Sequence, residues 1–193
     1  MERTKTEFDE ATHTYTIDRK PVPSVTQVLS DILPSWQASE WHLQSGQAVH
    51  ACAAMIALGQ DFDFDPQIEG QVIACRKFFA EMNPAVIDVE KELYSEQYRY
   101  AGTMDMLCRL GRYTVVLDWK ASFSASLPYQ LGGYAIIANV SHGVGVQLLE
   151  DGTYRMSEIY GLRRYKTGFL ALLSAYNIRK ECGVNNERKE TNE

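Results

Sequence analysis

The stretch from Tyr100 to Lys120, YAGTMDMLCRLGRYTVVLDWK, constrains the fold more than any other part of the chain. Two runs of apolar and β-branched residues are split by Gly111-Arg112, and glycine at the first of two central positions suits a type II′ hairpin turn. Closing that turn at Leu110 and Tyr113 sets Asp105 opposite Asp118 and Thr103 opposite Lys120. Side chains alternate along a strand, so Asp105, Asp118 and Lys120 share one face. Met104, Met106, Val115, Leu117 and Trp119 form an apolar stripe on the other. Two carboxylates opposed across a ladder lie about 5 Å apart at Cβ and repel. A cation between them removes the conflict, and hard oxygen donors at that separation suit Mg²⁺ or Mn²⁺. Lys120, two residues on, can then reach a water or phosphate oxygen beside the metal. The bland alternative is a solvated strand face carrying two Asp and one Lys, and the apolar neighbours in VVLDWKAS argue against it.

The rest of the chain frames this hairpin. Thr14 to Val22 reads as a smaller hairpin turning at Asp18-Arg19. Ser24 followed three residues later by Gln27 is a capping-box pattern opening a short helix that Pro34 interrupts. The spacing of Trp41, Val49, Ala53, Ile56 and Ala57 predicts a helix from about Gln37 to Leu58. Another runs from Gln67 to about Met82 and ends at Asn83-Pro84. Val86 to Tyr94 is a third strand of the central block. Helix returns from Ser126 to Val140, two strands bracket the Asp151-Gly152 turn, and a closing helix spans Gly161 to about Lys180. This order implies a mixed α/β domain around a central sheet. The expected organisation is one domain over 1–182, with 1–35 as an N-terminal appendage and 183–193 as a disordered polar tail.

Composition narrows the function classes. The chain has 193 residues, 45% hydrophobic and 23% charged, with a net charge of -6. That balance excludes a surface basic all over, but a local patch suffices to hold phosphates. Cys52, Cys75, Cys108 and Cys182 are scattered with no zinc-type spacing, which fits a reducing cytoplasm. No stretch is apolar enough for a membrane span.

GTMD followed by VLDWK resembles the PD-(D/E)XK nuclease superfamily, in its RecB-like exonuclease branch. Upstream, GQAVH resembles that branch's helix motif and matches its metal-binding histidine to His50. Downstream, QLGGY resembles its QxxxY motif and matches Gln130 and Tyr134, whose i,i+4 spacing puts both on one helix face. The segment TYTIDRKPVPSVTQVL is similar to those of phage-type members, so the resemblance spans about residues 12 to 140. Glu90 and Glu92 both have the strand parity for the upstream acidic position, and Glu90 is preferred because it stands three before Leu93. No proline immediately precedes Asp105, and the iron–sulfur cysteines of some relatives are missing.

The resemblance implies a restriction-endonuclease-like α/β fold and a metal-dependent DNA nuclease. An exonuclease acting in DNA recombination, repair or replication of a phage or mobile element is favoured over an endonuclease. His50, Asp105 and Asp118 would bind Mg²⁺ or Mn²⁺ with the Trp119 carbonyl, and Glu90 would join the catalytic set. Lys120 would position the attacking water, and Gln130 and Tyr134 would contact DNA or support the site. DNA is the expected partner, with a phage recombination or single-strand-annealing protein as a second, and the host cytoplasm as the location. The alternative is a catalytically silent nuclease-fold protein that binds nucleic acid or a protein. A metal-independent glycosidase with a carboxylate pair is a further rival.

Overall fold

The computed structural model describes residues 4–33 and 40–183, with side chains from residue 45 onward in the second segment. Three strands open the chain, β1 (Thr6–Asp9), β2 (Thr14–Ile17) and β3 (Lys20–Val22), and pair antiparallel in that order. The β2–β3 turn has both central residues left-handed, Asp18 at φ 51° and Arg19 at φ 62°. This is the backbone of a type I′ turn, whose twist matches the flanking strands. The sequence shows β2 and β3 by their alternation, but β1 has one partly buried residue in four and no apolar pattern to betray it.

Helix α1 (Val25–Ile32) begins with the capping box read from the sequence. The Gln27 N–H donates to Ser24 Oγ at 3.1 Å, and the Ser24 N–H donates to Gln27 Oε1 at 2.9 Å. The long helix α2 (Glu40–Ala57) follows; the Gln37 start expected for it and the Trp41 side chain lie outside the described residues. A 3-10 turn at Pro66–Ile68 leads into α3 (Glu69–Met82), which ends on Asn83 at φ 43°. Asparagine tolerates this left-handed cap better than most residues.

The main sheet contains β4 (Ala85–Ser95), β5 (Tyr100–Leu110), β6 (Tyr113–Lys120), β7 (His142–Leu148) and β8 (Tyr154–Met156) in that spatial order, with β9 (Tyr160–Gly161) also on β7. β4, β5 and β6 run antiparallel. The chain then crosses over through α4 (Leu127–Ile137), so β6 and β7 are parallel. The closing helix is α5 (Arg163–Glu181). The result is a mixed sheet flanked by helices, a restriction-endonuclease-like α/β architecture, and among the described residues no helix is long and apolar enough to cross a membrane. The polar tail expected to be disordered lies, from residue 184, outside the described residues.

Two apolar clusters sandwich the sheet. One joins Val25, Val28 and Leu29 of α1 to Leu131 and Tyr134 of α4 and to Phe169 and Leu173 of α5. The other joins Ala53 of α2 and Ala74 and Phe78 of α3 to Val115, Leu117 and Trp119 of β6. Each fully buried Val, Leu or Phe contributes about 1.5–3 kcal/mol.

The apolar stripe expected on β5 and β6 divides between these clusters, which corrects the straight-strand reading. Met106 packs with α2 and α3, whereas Met104 packs with α1, α4 and α5. The β4–β5 ribbon changes faces between them. Its ladder runs Val89↔Met106 and Lys91↔Met104 in unbroken register, yet the intervening Glu90–Asp105 pair is not bonded and Glu90 sits at φ 44°. A left-handed residue inside a strand turns the ribbon sharply, which period-2 counting cannot foresee.

Candidate metal centre

The hairpin register counted from Gly111 is present in the structure, with Leu110↔Tyr113 through Met106↔Leu117 paired as expected. Gly111 takes φ 58°, and Arg112 is not left-handed, as a type II′ turn requires. One step past Met106 the ladder stops. Asp105 Oδ2 accepts the Trp119 N–H at 2.8 Å, so a side chain takes the place of a backbone acceptor and the two strands part. The Trp119 indole turns into the core against Phe78, with ring centroids 5.4 Å apart, while its backbone stays beside the carboxylates.

Three elements converge where the strands part. α2 packs Val49, Ala53 and Ile56 on the sheet, which brings His50 over it from one side. His50 Nδ1 stands 3.4 Å from Asp105 Oδ2. β4 contributes Glu90 from its left-handed kink. The ligand atoms of His50, Glu90 and Asp105 all lie within 4.8 Å of one another, a cluster able to coordinate a divalent cation. Glu92, the rival for the acidic position, instead accepts the Tyr94 hydroxyl at 3.0 Å and stands opposite Thr103.

Asp118 lies next to this trio without belonging to it. It is 2% exposed. Gln130 Nε2 donates to its Oδ1 at 2.9 Å, and Lys120 Nζ stands 2.5 Å from Oδ2 as an ion pair. That lysine contact is charge without alignment, since Oδ2 accepts no properly oriented hydrogen bond. A buried carboxylate oxygen in that state is costly and suits an additional cationic ligand. Tyr134, one helical turn past Gln130, is buried and packs over Gly102, where an added Cβ would sit 2.9 Å from its ring. Gln130 thus holds Asp118, and Tyr134 and Gly102 lock the helix that carries Gln130.

The electrostatics divide the acidic groups. Burial raises Asp105, but the His50 charge and hydrogen bond, Lys120 and the Trp119 N–H outweigh it and bring Asp105 below its ordinary value. Burial also raises Asp118, and there the nearby Asp105 charge adds to burial, so Asp118 ends above the usual range despite Lys120. Glu90 keeps an exposed edge, yet crowding by protein atoms and the Asp105 charge push it up to about 7. Burial opposes a charge on His50, but Asp105 and Asp118 together carry it to about 9. Lys120 is likewise desolvated and held charged by the two aspartates. Without metal, the site therefore holds two cations against three carboxylates competing for protons.

A cleft of about 440 Å³ opens beside the trio, lined in part by Ser45, His50, Gln71, Lys120 and Arg155. Gln71 and Arg155 escape sequence reasoning because neither belongs to a motif and each comes from a distant element. A hint exists only in register: Arg155 pairs with Gln147, and Gln147 with Lys120, so the three form one row across the sheet.

The N-terminal strands also reach the site. Tyr15 Oη and Thr103 Oγ1 are 2.8 Å apart, and the Ala101 N–H donates to the Pro23 carbonyl at 3.0 Å. The first half of β5 is thereby fixed by residues that supply no metal ligand.

No family model and no curated protein matches the chain. Among solved structures it is similar to LHK-Exo, an alkaline exonuclease from Laribacter hongkongensis, at 15% identity over 85% of this chain and 95% of that one, with a TM-score of 0.43. It is also similar to LHK-Exo in complex with dAMP, at 12% identity over 84% and 93% of the two chains, with a TM-score of 0.44.

Proposed function

We propose that the protein is a metal-dependent DNA nuclease of the PD-(D/E)XK type, with exonuclease action favoured. The observation that carries this is the His50–Glu90–Asp105 cluster standing beside a buried lysine whose ammonium faces Asp118. One imidazole and two carboxylates fit Mg²⁺ or Mn²⁺, and the unaligned Oδ2 of Asp118 and the Trp119 carbonyl are the reserve donors. A bound divalent ion would acidify its water and offset charge on the attacked phosphate. Lys120 brings a fixed positive charge to the same place and orients the water. Asp118 holds that ammonium, and Gln130 holds Asp118. A binder without catalysis has no use for a buried lysine and crowded carboxylates that repel one another. A role in phage or mobile-element recombination, alongside a single-strand-annealing partner in the host cytoplasm, rests on the motif resemblance.

The test is digestion of end-labelled linear DNA and closed circular DNA, each with Mg²⁺, with Mn²⁺ and in chelator. Metal-dependent loss of linear DNA from its ends, with circles intact, is the expected result. Nicking of circles at a similar rate would make it an endonuclease, and full activity in chelator would remove the metal from the mechanism.

A further inference from the structure

The cleft beyond Lys120 is larger than a metal and its water need, and its far wall carries a cation with no assigned task. Arg155 is exposed on β8, and its guanidinium is met by the charge of Asp151 at the rim of the same cleft without a close ion pair. It shares a sheet row with Lys120 through Gln147, which places the two α-carbons roughly 10 Å apart at the ordinary strand spacing. The cleft between them falls within the roughly 300–1,000 Å³ of sites that enclose small ligands. Its volume of about 440 Å³ has Val49 and Leu148 as apolar wall and Gln71 as a polar group. Gln71 Oε1 is buried with no hydrogen-bond partner, an acceptor short of a donor. The back of the cleft is built for closeness: Gly70 lets α3 touch the loop after β7, where an added Cβ would stand 1.9 Å from the Glu150 carbonyl oxygen. Asp151, also at the rim, accepts the Thr153 N–H at 2.9 Å and the Thr153 hydroxyl at 2.6 Å, and these hydrogen bonds hold it more strongly than the charge of Arg155 does.

We propose that this cleft is a nucleotide subsite, in which Arg155 holds a phosphate neighbouring the one at Lys120 and the intervening nucleotide lies against Val49, with a sugar or base donor on Gln71. The inference rests on the nuclease reading for its ligand class. Lys120 and Arg155 give a chain of net charge -6 two cations along the cleft, with Glu150 and Asp151 also on its lining, so Arg155 is the group that sets a phosphate at that end.

The experiment is direct binding of a short labelled oligonucleotide in chelator across a salt series, for wild type, Arg155→Ala and Arg155→Lys. Losing one phosphate contact lowers the slope of log affinity against log salt by about 0.7 for a single strand or 0.9 for a duplex. Arg155→Ala should show that loss and a several-fold weaker affinity, and Arg155→Lys should keep the slope. A scan of single uncharged methylphosphonates should find one position that weakens wild type and leaves Arg155→Ala indifferent. Identical slopes and identical scans in wild type and Arg155→Ala would overturn the subsite, even with metal-dependent cleavage intact. Loss of the slope in a protein that cleaves no DNA with any metal would instead keep the subsite and overturn the nuclease reading.

Discussion

Asp105 and Asp118 are the same residue type on neighbouring strands, both nearly enclosed, yet the fold treats them oppositely. Asp105 lies at the open end of the β5–β6 ladder and is given a backbone donor and an imidazolium. Its charge is supported from within the protein. Asp118 lies one strand over, receives an amide and an unaligned ammonium, and faces the Asp105 charge. The lesson is that burial alone does not decide whether a carboxylate stays ionised. What decides is the number of donors aimed at it and who reaches them first. Asp105 is kept ionised within the His50–Glu90–Asp105 cluster, and Asp118 holds the lysine.

The lysine held charged by the two aspartates carries the largest expected effect. Lys120→Ala should lower cleavage by roughly 10²- to 10³-fold or more while leaving Mn²⁺ binding in place, because a transition-state donor is lost and no ligand is. Titration calorimetry alongside a nuclease assay checks this, and near-normal turnover would dismiss Lys120.

Proton release sharpens the same contrast. His50 and Glu90 must lose protons to bind a cation, and in the metal-free protein they sit at about 9 and about 7. Metal affinity should therefore be weak below pH 7, climb by about tenfold per pH unit between 7 and 9, and level off above. The sign for stability is the reverse. His50 is raised above its unfolded value, so its ion pair stabilises the metal-free fold fully below about 6.5, and this is lost as pH rises through about 9. Affinity independent of pH over this range would take His50 out of the coordination shell.

Charge removal separates the two aspartates. In chelator, Asp105→Asn should melt earlier by the equivalent of about 1–3 kcal/mol, since a charged hydrogen-bond acceptor for His50 and Trp119 is lost. Asp118→Asn should be as stable as wild type, or more stable by about 1 kcal/mol, because it removes a repelled charge. Both should lose metal-induced stabilisation. Equal destabilisation of the two variants would abolish the distinction.

The smallest effect concerns the kink. Glu90→Gly relieves a left-handed non-glycine residue and should raise metal-free stability by about 1 kcal/mol while weakening metal binding. Glu92→Gln should leave metal binding unchanged, and the reverse pattern would reassign the acidic ligand.

Much of this was legible in the sequence for local reasons. The central hairpin register follows from one glycine and an alternating pattern, α1 from a capping box, and the β7–β8 turn from Asp151-Gly152, with Gly152 left-handed at φ 80°. The motif order groups His50 with Asp105 and Asp118, and the structure brings His50 Nδ1 to 3.4 Å from Asp105 Oδ2. What local patterns could not convey was the end of the ladder at Met106↔Leu117, where a carboxylate replaces a carbonyl, and the face change at Glu90. Both depend on which cluster each half of the ribbon packs against, and that is a property of the assembled molecule. Arg155 and Gln71 were hidden for the same reason.

The docking of Pro23 on Ala101 and of Tyr15 on Thr103 has a consequence for the order of assembly. During synthesis the first strands and α1 emerge early, but the residues that cover Tyr15, Val25 and Val28 belong to β5, α4 and α5, which follow much later. Long-range closure of this kind is slow. The N-terminal strands and α1 therefore wait with apolar side chains uncovered, whereas β5 meets its clamp at Pro23 and Tyr15 as soon as Ala101 and Thr103 have been made.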